Sequence, residues 1–146
     1  MKLKLNIDSD CEEVEVQITA KEIDDEVNDI VRKLEKESLK TLVGFIEDEA
    51  VILEPIDIIR IYTSNNKILA ETKDGEYKLR YRIYECEEKL NRNRFIRISQ
   101  SELINLSMVK KFDFSITGTI HVVLKNGVST FVSRRYVSTI RKVLGV

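Results

Sequence analysis

The spacing of apolar residues changes once along this chain, near residue 40, and that change restricts the fold more than any other feature. Before it, Ile23, Val27, Ile30, Val31 and Leu34 recur at helical intervals. Acids come early there and Arg32, Lys33 and Lys36 come late, an order that complements the helix dipole. From Thr41 onward the apolar residues form short runs or alternate with polar ones, and turn-forming residues interrupt them at short intervals. Such a stretch buries its apolar side chains mainly as strands, with room for two short helices.

Leu3, Leu5 and Ile7, and again Val14, Val16 and Ile18, alternate as half-buried strands do, around the turn Asp8-Ser9-Asp10. Thr19-Ala20-Lys21-Glu22 has capping-box spacing, which predicts a helix from about Ala20 to Ser38. Strands are expected over Leu42–Ile46, Ala50–Leu53, Ile58–Tyr62, Lys67–Glu71 and Tyr77–Tyr81, with a hairpin at Asp74-Gly75. A short helix near Ile83–Leu90 precedes the basic stretch Asn91-Arg92-Asn93-Arg94. Lys110–Ile116, Thr119–Leu124 and Val128–Val132 complete the strands, and Ser133 is placed to cap a last helix carrying Tyr136, Val137 and Ile140. Phe95, Leu103, Leu106, Phe112, Phe114 and Tyr136 are the expected core. The class is therefore mainly β (α+β), with residues 1–40 as a strand-strand-helix extension and residues 41–146 as the main domain.

Several functions are disfavoured. The longest apolar runs, such as Val51-Ile52-Leu53, are too short to span a bilayer, and the start of the chain has no apolar leader core, so a cytoplasmic location is expected. Cys11 and Cys86 lie in unrelated contexts, and with the single His121 they make no standard zinc set. Five scattered glycines form no phosphate loop. Glu12-Glu13 and Glu87-Glu88 are neighbours whose side chains point apart on a strand or helix, which suits solvated faces. Neither an enzyme nor a cofactor is expected. The charge is unevenly spread: residues 1–50 hold 7 of the 24 Lys/Arg and 15 of the 25 Asp/Glu, which leaves 17 bases against 10 acids beyond them. A basic half suits a polyanion, because each phosphate contact releases counterions.

Two segments carry a resemblance. Phe95-Ile-Arg-Ile-Ser-Gln-Ser-Glu-Leu-Ile-Asn105 and Lys125-Asn-Gly-Val-Ser-Thr-Phe-Val-Ser-Arg-Arg-Tyr-Val137 are similar to the LytTR family of bacterial DNA-binding output domains. Phe95, Arg97, Ser101, Asn105, Gly127, Ser133, Arg134, Arg135 and Tyr136 sit on that family's pattern. Ile58-Ile-Arg-Ile-Tyr-Thr-Ser-Asn-Asn-Lys-Ile68 resembles its first strand pair and connecting loop. The chain departs at Ser99, where the family usually has His, at Gln100 in place of Arg, Lys or Asn, and at Glu102, where an aromatic often follows.

The resemblance implies an elongated stack of small antiparallel β-sheets that reads the major groove of double-stranded DNA through loops. It puts Asn65, Gln100 and Arg135 on base edges, since Asn and Gln can pair with adenine and Arg with guanine. Asn66, Lys67, Ser99, Ser101, Lys110, Ser133 and Arg134 are then the phosphate contacts. Asn65 also fits a left-handed turn position, Ser133 a helix cap, and Arg97 a structural salt bridge. The function so implied is a sequence-specific transcriptional regulator without a receiver domain, restrained by a small membrane protein. An apolar helix stripe near residues 20–38 adds the expectation of a homodimer. A protein-interaction module that touches no nucleic acid is the competing reading.

Overall fold

The computed structural model describes residues 1–38, 42–90 and 94–146. The chain falls into two compact units, Met1–Ser38 and Leu39–Val146. The expected strand start at Thr41 and most of the basic stretch, Asn91-Arg92-Asn93, lie outside the described residues.

In the first unit, helix α1 spans Asp25–Ser38. Asp24 caps it, its Oδ1 accepting from Val27 N at 2.9 Å, and Asp25 and Glu26 place negative charge in the first turn. The helix thus begins after Asp24 and not at the Thr19–Glu22 box. Val27, Ile30 and Val31 form its half-buried stripe. The expected strands at Leu3–Ile7 and Val14–Ile18 do not form. A turn is present, with Cys11 N donating to Asp8 O at 3.1 Å, but the rest of residues 1–24 is irregular and leaves Leu3, Leu5, Ile7 and Val14 exposed. Alternation alone does not make a strand, because two strands without a further layer are marginal in water.

The second unit is built on an antiparallel sheet of seven strands in the order β2-β1-β5-β4-β3-β7-β6. Their ranges are β1 Leu42–Ile46, β2 Glu49–Leu53, β3 Ile58–Ser64, β4 Lys67–Thr72, β5 Gly75–Leu79, β6 Phe95–Ser99 and β7 Glu102–Asn105. Helix α2 (Ile83–Lys89) connects β5 to β6. A second sheet has three strands, β8 (Val109–Asp113), β9 (Ile120–Leu124) and β10 (Ser129–Val132), in the order β10-β9-β8, and helix α3 (Arg134–Leu144) follows.

Strand alternation divides the core between the two faces of the large sheet. Ile58, Ile61, Ala70, Leu79, Phe95 and Leu103 pack in one cluster with Cys86 and Leu90 at α2. Ile59, Ile96, Ile98 and Ile104 pack in the other with Ile120, Val122, Leu124 and Val132 of the small sheet and Ile140 of α3. The middle of β6 and β7 is therefore buried on both sides, and an Ile104→Ala change would cost about 2–5 kcal/mol. Gly44 permits a close approach in β1: a Cβ there would lie 2.7 Å from Tyr77 Cβ and 2.8 Å from Leu53 Cδ1.

Two local expectations shift. The hairpin at Asp74-Gly75 closes one residue earlier, with Thr72 paired to Gly75. Thr72 Oγ1 sets this turn, accepting from Asp74 N at 3.2 Å and donating to Gly75 O at 3.1 Å. Phe114 is not core: it is exposed, and the Arg141 guanidinium lies 5.0 Å from its ring centre.

Candidate nucleic-acid interface

The first turn of interest joins β3 to β4. Ser64 pairs with Lys67, and the two residues between them, Asn65 and Asn66, have φ of 50° and 61°. Two positive φ values make the turn whose twist matches the flanking strands, and Asn is the side chain that tolerates them best after glycine. The turn role of Asn65 is therefore real, and it leaves the side chain exposed together with those of Asn66 and Lys67.

The second turn joins β6 to β7, where Ser99 pairs with Glu102 around Gln100 and Ser101. Arg97 holds it from inside. Its Nε donates to Ser99 O at 3.0 Å and its Nη2 to Gln100 O at 2.6 Å, while Nη1 stands 3.5 Å from Glu87 Oε2 of α2. Ser101 N donates to Ser99 Oγ at 3.2 Å, and the two serine hydroxyls are 3.3 Å apart. Arg97 is thus a structural brace, and the Gln100 side chain is left exposed.

The third segment is the start of α3. Ser133 occupies the N-cap position with an extended backbone and no side-chain capping bond, so the expected cap does not close. Its backbone does something else, because Ser133 N donates to Ile98 O at 2.8 Å. Arg134 and Arg135 follow, both exposed. A Cβ on Gly118, in the β8–β9 loop, would lie 3.6 Å from Arg134 Nε.

Two backbone bonds bring the segments together. Thr63 N donates to Ser101 O at 2.9 Å, and Tyr62 pairs with Glu102, so the first two turns leave the same end of the large sheet side by side. The Ser133–Ile98 bond ties the third segment to the strand that enters the second turn. Asn65, Asn66, Lys67, Ser99, Gln100, Ser101, Ser133, Arg134 and Arg135 consequently gather at one end of this unit. Lys110 does not join them. Val109 pairs with Leu124 and Val132 with Ile120, at opposite ends of β9, which puts Lys110 roughly 13 Å away by strand rise alone.

Asn105, at the end of the second segment's motif, is fully buried and structural. Its Nδ2 donates to Ile58 O at 2.8 Å, and its Oδ1 accepts from Ser107 N at 3.0 Å and Ser107 Oγ at 2.7 Å. This locks the start of β3 to the turn after β7.

Sequence reasoning missed a polar seam between the two sheets. Arg60 Nε donates to Glu71 Oε2 at 2.6 Å, and Arg60 Nη1 stands 3.5 Å from Glu102 Oε2. From the small sheet, Asn126 Nδ2 donates to Glu71 Oε1 at 2.5 Å and Thr130 Oγ1 donates to Glu102 Oε1 at 2.8 Å. The Arg60 guanidinium lies 4.0 Å over the Tyr62 ring, and the Tyr62 hydroxyl donates to Glu76. Burial pushes the Glu102 carboxyl above its ordinary range, against the pull of Thr130 and Arg60. Burial first, and then the bond to Glu76, pushes the Tyr62 hydroxyl up to about 12. One visible signal was Glu102 itself, an acid where the family pattern often has an aromatic.

Among the described residues no group of three or more His, Cys, Asp or Glu could hold a metal ion, and no helix is long and apolar enough to cross a membrane. His121 stacks on Phe131, ring centres 4.8 Å apart.

The family model of the LytTr DNA-binding domain matches residues 48–145. An HTH-type transcriptional regulator of Staphylococcus aureus (strain bovine RF122 / ET3-1) is 34% identical over 147 residues, covering 100% of this chain and 99% of the relative. A counterpart from strain MRSA252 is 33% identical over the same span. A solved LytTr DNA-binding domain from Bacillus cereus shares the fold, with a TM-score of 0.70 at 22% identity, over 73% of this chain and 97% of that one. The relatives' names mention a helix-turn-helix. In this chain α2 and α3 are separated by the five strands β6 to β10, so the two do not form one.

Proposed function

Since this chain belongs to the LytTR family of DNA-binding domains, we infer that it is a transcriptional regulator that reads double-stranded DNA by sequence with the loop-bearing end of its second unit. The observation that carries this reading is the pair of backbone bonds, Thr63–Ser101 and Ser133–Ile98, which gather three segments distant in sequence. Asn65, Gln100 and Arg135 are the base-reading side chains. Each is exposed, and their amide and guanidinium groups match adenine and guanine edges in the major groove. Asn66, Lys67, Ser133 and Arg134 hold phosphates beside them. Ser99 and Ser101 are weaker phosphate ligands, because their hydroxyls face each other in the turn. Lys110 serves a phosphate further along the duplex.

The function is one of binding, with no bond made or broken, and its DNA target implies a cytoplasmic location. A homodimer formed through α1 is part of the proposal: the stripe of Val27, Ile30 and Val31 gives two copies an apolar seam. Sedimentation of the full chain at high micromolar concentration tests it, and a monomer there rejects it. A small membrane protein that restrains the regulator rests on the family resemblance alone.

Binding-site selection from a random duplex pool tests the central claim. Enrichment of one motif, with affinity falling steeply in salt, is the expected result. A pool that shows no enriched sequence rejects base reading.

A further inference from the structure

We propose that the partly buried seam of Asn126, Glu71, Arg60, Glu102 and Thr130 sets the position of Arg135 relative to Asn65 and Gln100, and so determines the spacing between the base pairs they read. This rests on the reading above. Asn65 and Gln100 leave the seven-stranded sheet, whereas Arg135 follows the three-stranded one. Their relative placement is therefore a property of how the two sheets are locked together.

The lock is polar where a hydrophobic one would serve stability better. The facing surfaces already share the apolar cluster of Ile59, Ile96, Ile98, Ile104, Ile120, Val122, Leu124 and Val132. Apolar contacts are non-directional and specify the offset between two sheets through shape alone. Hydrogen bonds are not: Thr130 Oγ1, in β10, reaches Glu102 Oε1 at 2.8 Å, and Asn126 Nδ2, in the turn before β10, reaches Glu71 Oε1 at 2.5 Å. Arg60 joins the two acceptors from below, 2.6 Å from Glu71 and 3.5 Å from Glu102. The charge that faces Glu102 Oε2 is the Arg60 guanidinium, 3.5 Å away. In some proteins ionic and polar groups at such a seam fix an arrangement more than they strengthen the fold, and the proposal assigns that role here.

The seam also touches the reading end directly. Glu102 is the residue after Ser101 and pairs with Ser99 across the second turn. Thr130 lies three residues before Ser133, whose own backbone bond to Ile98 supplies the nearer tether. A shift at Glu102–Thr130 therefore moves the start of α3 against the second turn. Glu102 and Thr130 are positioning residues that act through Arg135 and Gln100, without touching DNA.

The test uses the full chain and the duplex obtained by site selection. Affinities are measured for that duplex and for one with a single base pair inserted between the blocks whose contacts are lost in Asn65→Gly and in Arg135→Ala. The wild type should reject the respaced duplex. Thr130→Val keeps the shape of the side chain and removes the inter-sheet bond, and Glu102→Gln removes the charge facing Arg60. Each should cut the spacing preference roughly threefold to tenfold, and the double variant should cut it by less than the product of the two. If both variants lower affinity for the two duplexes by the same factor, the seam is structural only and the proposal is overturned. If Glu102→Gln does not fold, Thr130→Val alone decides by the same ratio. A wild type that fails to distinguish any selected duplex from random DNA overturns the DNA-reading function, and this inference with it.

Discussion

Between Ser64 and Lys67 the chain reverses through two asparagines with positive φ, whereas between Ser99 and Glu102 it reverses through Gln100 and Ser101, neither of which has positive φ. The first turn is stabilised by its own backbone, whose twist suits the flanking strands. In the second, the register shifts between Arg97 and Ser99, and the Arg97 guanidinium donates to the carbonyls of Ser99 and Gln100. The difference bears on ligand binding. A turn closed by backbone conformation leaves every side chain free, as at Asn65, Asn66 and Lys67. A turn closed by side chains consumes them, so Ser99 and Ser101 are engaged and only the Gln100 amide remains available.

Removing the brace should break the comparison most severely. Arg97→Ala loses bonds to two carbonyls and the contact with Glu87, and should cost about 1.5–3 kcal/mol in denaturant unfolding. Cognate DNA affinity should fall with it, as followed by fluorescence anisotropy. An unchanged unfolding midpoint would show that the second turn closes without its side chains. Arg135→Ala comes next: it should cost about 1–3 kcal/mol on the cognate duplex and relax selectivity at one or two base pairs, while stability moves by less than about 0.5 kcal/mol.

Asn65 separates the two roles of the first turn. Asn65→Gly accepts the positive φ and should keep the melting temperature while losing cognate selectivity. Asn65→Ala should lose the same selectivity and also about 1 kcal/mol of stability, since alanine resists the left-handed region. Equal melting temperatures for the two variants would contradict the φ of 50° at this position. Smaller again are the effects expected at the proposed phosphate contacts. Arg134→Ala should flatten the salt dependence of binding by about one unit, and Lys110→Ala, on the far end of the small sheet, by less.

The smallest effect concerns pH. Burial raises the Glu102 carboxyl above its ordinary value, so this group stabilises the fold most at low pH and loses that contribution as pH rises through its raised value. Arg60 and Glu71 are the charges that face it, with Tyr62 beside them. Against Glu102→Gln, which cannot titrate, the wild type should therefore gain in relative melting temperature as pH is lowered from 7 towards 5. A difference that widens in the opposite sense would mean that the pull of Arg60 outweighs burial.

Much of this protein is written locally. Strand periods, the helix near Ile83–Lys89, the Asn65-Asn66 turn and the start of α3 after Ser133 all follow from residues within a few positions of one another, because turn geometry and side-chain periodicity are short-range properties. The side chains suited to base edges could be named for the same reason, with the family pattern to align them. What tertiary structure alone decided are the features that need a distant partner. Leu3–Ile7 and Val14–Ile18 alternate as well as any strand does and yet stay irregular, while similar runs after Leu42 are held in a sheet. Asn105 became a buried clamp by meeting Ile58, 47 residues away, and Glu71 joined the seam by meeting Asn126, 55 residues away. Lys110 and Arg134 are equally basic in sequence, but β9 sets them at opposite ends of the small sheet. Charge and hydrogen-bonding capacity belong to the residue. Distance and burial, which decide what that capacity is spent on, belong to the fold.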